Sequence, residues 1–225
     1  MILLIEKGLC LMTPPKTASA ALHKFLAALG AQQYYGPHPS GPGFSKHSAV
    51  ITDEALCFPT VTLVIRNPWD RLVSLFHHFA AWETHEGRAA PSFADFAALA
   101  TTPGVLPWFY QASVVEYADK LAAAGLAFEL WTTELLARHL ERAECQPEPG
   151  HLLTVEGYSY RNKTHTYYTP AILATVRAWA RPQARLLKQA RQLAELHKRP
   201  AGPLTPGPYW GLPADERPEY FEPAT

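Results

Sequence analysis

The chain has 225 residues, 48% of them hydrophobic and 18% charged, with 20 Lys and Arg against 20 Asp and Glu. The charged share lies below the roughly 25% of ordinary globular chains, and the apolar share suffices for a sizeable core, which excludes bulk disorder. The neutral balance argues against a dedicated nucleic-acid or membrane-surface binder but leaves room for a local basic pocket.

Met1 to Met12 is apolar but broken by Glu6, Lys7 and Gly8, unlike the long h-region of a signal peptide. No apolar run is long enough to predict a transmembrane helix. Cys10, Cys57 and Cys145 form no CxxC pair and read as inert thiols in a reducing compartment. A cytoplasmic protein is the expectation.

Leu9 to Met12 reads as a buried strand stopped by Thr13-Pro14-Pro15. Ala18 to Leu29, closed by Gly30, reads as a helix. Gly36 to Gly43 is a loop by composition. Val61 to Ile65 is β-branched and apolar on both faces, as a central parallel strand should be. Asn67-Pro68 then supplies an N-cap and a first helical residue for a helix carrying Leu72, Val73, Leu75, Phe76 and Phe79. Trp82 to Gly104 reads as loop plus a short helix, Leu126 to Trp131 as a strand, and Glu134 to Arg142 as a helix. A last helix opens at Thr169-Pro170, shows Ile172, Val176 and Trp179 on one face, and should be kinked or split by Pro182 near Arg181.

Residues 1–199 form the expected domain. In the tail, 200–225, seven of 26 residues are proline, which excludes regular helix or strand. Strands alternating with helices predict an α/β layer fold with a central parallel sheet flanked by helices.

Two segments, each between a strand and a helix, suit an anion. In Pro14-Pro15-Lys16-Thr17-Ala18-Ser19-Ala20 the helix start offers unpaired N–H groups and a positive dipole end, Lys16 a cation, and Thr17 and Ser19 hydroxyls. An ordinary helix start beside a surface lysine fits the same residues. The GxxxxGK[ST] pattern of P-loop nucleotide enzymes is absent. In Val64-Ile65-Arg66-Asn67-Pro68-Trp69-Asp70-Arg71-Leu72-Val73-Ser74, Arg66 stands at the carboxyl edge of the sheet, where open α/β sheets bind ligands. Its planar fork suits a phosphate, and an ion pair with Asp70 is the plainer alternative. A magnesium-dependent kinase often has an acidic residue at such a strand end.

PPKTAS followed about fifty residues on by VIRNPWDRLVSLF resembles the sulfotransferases that use PAPS (3′-phosphoadenosine 5′-phosphosulfate), above all their carbohydrate-type branch with the heparan sulfate 2-O-sulfotransferases. The strong match covers Leu9 to Phe79. Phe128-Glu129-Leu130 through Glu134-Leu135, and Tyr160 to His165, resemble later elements of that family more weakly. The resemblance implies a P-loop-like three-layer fold and transfer of a sulfuryl group from PAPS to a hydroxyl of a carbohydrate or small molecule, releasing PAP, without a metal. It further implies that Lys16, Thr17, Ala18, Ser19 and Ala20 hold the 5′-phosphosulfate. Arg66 and Ser74 would hold the 3′-phosphate, and Arg161, Lys163 and Thr164 would close over the nucleotide. A binding module that keeps the pocket without turnover, and a kinase on a related fold, are the alternatives.

Sulfuryl transfer is mostly positioning and charge stabilisation, so Lys16 is expected to neutralise the leaving oxygen. Histidine suits proton removal from the acceptor near neutral pH. His47, after the Gly/Pro loop, resembles the catalytic histidine of the 2-O-sulfotransferase branch in position, with His38, Glu83 and His85 as reserves. Trp82, Trp108, Phe109 and Tyr110 are candidates for an acceptor groove, or for plain core. Where the family often has an acidic residue late in the last long helix, this chain reads Ala180-Arg181-Pro182-Gln183.

Overall fold

The computed structural model describes residues 1–33, 36–37, 44–45, 47, 51, 53–145 and 166–196. In chain order the strands are β1 (Ile2–Leu4), β2 (Leu9–Met12), β3 (Gln32–Gln33), β4 (Gly36–Pro37), β5 (Phe44–Ser45), β6 (Val61–Ile65) and β7 (Phe128–Thr132). The α-helices are α1 (Ser19–Ala27), α2 (Asp53–Leu56), α3 (Pro68–His85), α4 (Phe93–Thr101), α5 (Trp108–Gln111), α6 (Val114–Ala123), α7 (Leu136–Arg142) and α8 (Pro170–Leu196). The chain divides into two compact units, Met1–Arg66 with Leu106–Gly157, and Asn67–Val105 with Tyr158–Thr225. The proline-rich tail lies outside the described residues. No described helix is long and apolar enough to cross a membrane.

The first unit is α/β. Its open sheet has five strands in the order β3-β1-β2-β6-β7. β2, β6 and β7 are parallel, as expected for the centre, and every residue of β2 and β6 is buried. The sheet is not wholly parallel, because β1 pairs antiparallel with both β2 and β3. The sequence reading missed β1. It forms because Ile5–Lys7 make a single 3-10 turn and Gly8, at φ 61°, reverses the chain in a conformation that costs glycine nothing.

Register fixes the two faces. Ile2 lies opposite Leu11, Leu4 opposite Leu9, Leu11 opposite Thr62, and Val64 opposite Trp131. Side chains alternate along a strand, so these residues share one face. Ile2, Leu4, Leu9, Leu11, Val64 and Trp131 pack there with Leu22, Phe25 and Leu26 of α1 and Leu136 and Leu140 of α7. Each such aliphatic side chain contributes about 1.5–3 kcal/mol when fully buried. Thr62 on this face is buried and donates to Glu129 Oε1 at 2.9 Å. Leu63 and Ile65 alternate with these, point to the opposite face, and are equally buried. Gly36 and Pro37, read as loop, pair with Ser45 and Phe44 in a two-stranded ladder.

The second unit is helical. Asn67 caps α3 by accepting from Trp69 N at 2.9 Å, with Pro68 as the first helical residue, as the sequence predicts. α3 runs to His85, beyond the point where the sequence reads loop. Phe76 and Phe79 pack against Phe96 of α4 with ring centroids 5.7 and 5.4 Å apart. α8 buries Val176, Ala180, Gln183, Leu187 and Ala190, a stripe at alternating four- and three-residue spacing. Ile172 and Trp179 lie half-buried beside it. The helix is not split at Pro182. Pro182 is exposed, so the carbonyl it cannot serve is left on the solvent side, while buried Ala180 and Gln183 pin the helix on either side.

His139 of α7 ties acid stability to the first unit. Its ring stacks on Trp131 with centroids 5.2 Å apart, and its Nε2 accepts from Thr132 N at 3.3 Å, so the neutral ring carries its proton on Nδ1. Burial, then the charge of Arg142, pushes its pKa down to about 4. The folded value lies below the unfolded one, so this contribution is whole above the unfolded pKa and is lost as pH falls through the folded pKa. Allowing for partial exposure, about 2 kcal/mol is expected to go between roughly pH 6.5 and 4. Denaturant unfolding of His139→Gln across that window should show a flatter dependence than wild type, and parallel curves would contradict this account.

Candidate functional site

The site is built at the carboxyl ends of β2 and β6. β2 ends at Met12, and Thr13, Pro14 and Pro15 carry the chain into a tight loop. Proline cannot extend a ladder, which is why the strand stops there. Thr17 closes the loop twice, its N–H donating to Pro14 O at 3.3 Å and its hydroxyl to the same oxygen at 2.7 Å. Thr17 is fully buried, and its hydroxyl proton is spent on holding this turn.

The loop is strained. Lys16 has φ 64° and Ala18 φ 61°, in the left-handed region that costs an L-residue roughly 1–2 kcal/mol. Strain of this kind persists only where the surroundings enforce it, and it concentrates at ligand sites. Ala18 then stands as the N-cap of α1 and offers no side-chain acceptor. The amides of Ser19, Ala20 and Ala21 in the first turn have no intrahelical partner. A helix start whose N-cap residue offers no side-chain acceptor, behind a cationic loop, has amides and charge suited to an anion. Ala18→Gly is expected to release the strain and raise stability by about 1 kcal/mol, a few degrees in Tm. A lower Tm would mean that the left-handed turn does not form.

Arg66, directly after β6, donates from Nη1 to Lys16 O at 3.3 Å. The two anion segments, 50 residues apart in sequence, therefore meet in space. Parallel pairing of β2 with β6 causes this, since it sets their carboxyl ends side by side. Lys16 and Arg66 are both half-buried, which strengthens their field relative to a fully hydrated pair.

His47 is buried at 6% exposure and reaches the chain just after β2 at Thr13. Its Nδ1 is 2.9 Å from Thr13 O. A carbonyl only accepts, so Nδ1 carries the proton and the neutral ring presents Nε2 as its basic atom. The Tyr117 hydroxyl donates to the main-chain oxygen of His47. Phe109 packs edge-on against the imidazole at 5.4 Å between centroids. The sequence reading passed over Thr13 and Tyr117. Tyr117 was findable, since Ser113 followed by Val114, Tyr117, Ala118 and Leu121 is a capped amphipathic helix written out in order.

The remaining candidates are spread along the chain. Ser19 is buried at the start of α1 and Ala20 is exposed beside it. Ser74 is half-buried on α3, in the second unit. Arg161, Lys163, Thr164 and His38 lie outside the described residues. Glu83 is gripped by Arg88, with Oε2 2.7 Å from Nε and Oε1 3.0 Å from Nη2. Those hydrogen bonds hold its carboxyl below the ordinary carboxylate range, which makes it a poor proton acceptor. His85 is exposed in the last turn of α3. Trp82 is exposed under the Arg88 guanidinium at 4.8 Å, Trp108 donates to Glu116 at 3.4 Å, and Tyr110 is core. The chain matches no protein-family model, no curated protein and no solved structure.

Proposed function

We propose that this chain is a sulfotransferase with a P-loop-like three-layer fold, which moves a sulfuryl group from PAPS to an acceptor hydroxyl and releases PAP. The observation that carries the reading is the contact of Arg66 with the Lys16 carbonyl, which joins two anion-binding segments beside a helix start without a side-chain cap. Two cations and a row of amides fit a ligand with more than one anionic group, as a bisphosphorylated nucleotide is.

When bound, the donor supplies an electrophilic sulfur and a phosphate leaving group. The chain's own residues do the rest. The first-turn amides of α1 orient the 5′-anion, and the Lys16 ammonium stands where negative charge grows. Arg66 takes up a separate phosphate with its fork and braces the loop through the Lys16 carbonyl. His47 Nε2 receives the acceptor's proton, because Nδ1 is already committed to Thr13 O. The acceptor is a hydroxyl on a carbohydrate or small molecule.

Calorimetric titration of PAP and of ATP with magnesium into the wild-type chain tests the reading. Binding of PAP without magnesium, and much weaker binding of ATP, is the expected result. ATP binding that requires magnesium, with no response to PAP, would replace the sulfotransferase by a kinase. PAP binding without turnover on any acceptor would leave a nucleotide-binding module.

A further inference from the structure

Tyr117 does something the core alone does not require. It is fully buried, and a phenylalanine there would fill the same space; what it adds is a hydroxyl aimed at the backbone of His47. We infer that Tyr117 is a positioning residue for His47, an assignment that rests on the sulfotransferase reading for its catalytic meaning.

His47 is a turn residue between β5 and α2 and belongs to neither element. Contacts at its two ends help to hold it. At the main chain, Tyr117 donates to its carbonyl from α6. That helix is itself anchored, capped by Ser113 and buried along Val114, Tyr117, Ala118 and Leu121. At the ring, Thr13 O accepts from Nδ1, and Phe109 of α5 closes one side of the imidazole. Removing the phenol oxygen leaves a buried carbonyl without this donor, and such a carbonyl shifts toward another donor or toward water. The ring then leaves Thr13 O, and the Nε2–H tautomer, which cannot take a proton at Nε2, becomes populated. A base misplaced by about 1 Å costs roughly 100-fold in turnover.

The test reads the tautomer directly. Nitrogen-15 spectra of histidine-labelled protein are recorded at pH 8.5, above the ordinary imidazole range, with His47→Asn to assign the signals. In wild type, His47 is expected to show a pyrrole-like Nδ1, a pyridine-like Nε2, and a slowly exchanging Tyr117 hydroxyl proton close to its carbonyl. In Tyr117→Phe the Nδ1–H population should fall to half or less. An unchanged tautomer in Tyr117→Phe, a pyrrole-like Nε2 in wild type, or a fast-exchanging Tyr117 hydroxyl each overturns the assignment. Either wild-type readout can overturn the assignment even if Tyr117→Phe does not fold. None of these spectra needs donor or acceptor, so a chain that fails to bind PAP sinks the sulfotransferase reading without touching this result.

Discussion

Arg66→Ala is expected to weaken PAP binding about 100-fold while leaving the chain folded. A forked, charge-assisted pair with phosphate contributes about 3 kcal/mol, and each 1.4 kcal/mol is roughly tenfold in affinity. Two losses combine here, because the side chain that would face the phosphate also braces the loop through Lys16 O at 3.3 Å. Arg66 is only half-buried and follows β6 rather than lying within it, so the sheet survives its removal. Arg66→Lys separates charge from geometry. It keeps the cation but not the fork, and about tenfold weaker binding is expected. Calorimetry gives both affinities, and circular dichroism checks the fold. PAP affinity within threefold of wild type in Arg66→Ala would remove Arg66 from the site and with it the argument that the two segments act together.

Arg71→Ala is the second large effect, and it falls on stability. Arg71 is fully buried in the second unit, donates to Gln183 Oε1 at 3.0 Å, and has its guanidinium 5.8 Å from the centroid of the Trp179 ring. The truncation opens a cavity along the lost stem, deprives the buried Gln183 oxygen of this donor, and removes the contact with Trp179. A loss of about 3–5 kcal/mol is expected, or roughly 10 °C in the melting of a domain this size. Arg71→Met keeps most of the volume and should cost less than half as much. Thermal unfolding of the two variants decides between packing and charge. Equal losses would show that the guanidinium, not the stem, carries the stability.

Gln183 serves this helix with both ends of its amide. It takes the hydrogen bond from Arg71 and gives one from Nε2 to Trp179 O at 3.0 Å. A carboxylate accepts only and could not make the second bond. A neutral partner with both functions therefore suits this helix.

The local elements were legible in the residues because local chemistry decides them. Leu9–Met12 and Val61–Ile65 announce buried strands by composition, and Asn67-Pro68 starts a helix by a cap and a fixed φ. Lys16, Arg66 and His47 were likewise visible as chemistry-bearing residues at strand ends and in a loop. Pro182 does not split its helix because it lies on the exposed side while buried Ala180 and Gln183 hold the helix to the core, and exposure is not written in the neighbouring residues. β1 and the antiparallel edge of the sheet were hidden for a related reason, since a three-residue strand has too short a period to read.

What the sequence determined by itself, then, was the central strands, the longer helices on either side of them, and which side chains carry charge or basicity. What only the tertiary structure decided was which of them meet. The 50-residue span from Lys16 to Arg66 closes because β2 and β6 pair in parallel register. The link from His47 to Thr13, and from Tyr117 to His47, closes across 34 and 70 residues through hydrogen bonds. Contacts at such separations depend on sheet order and helix placement, which are properties of the whole packed chain and leave no mark on either partner's neighbours in sequence.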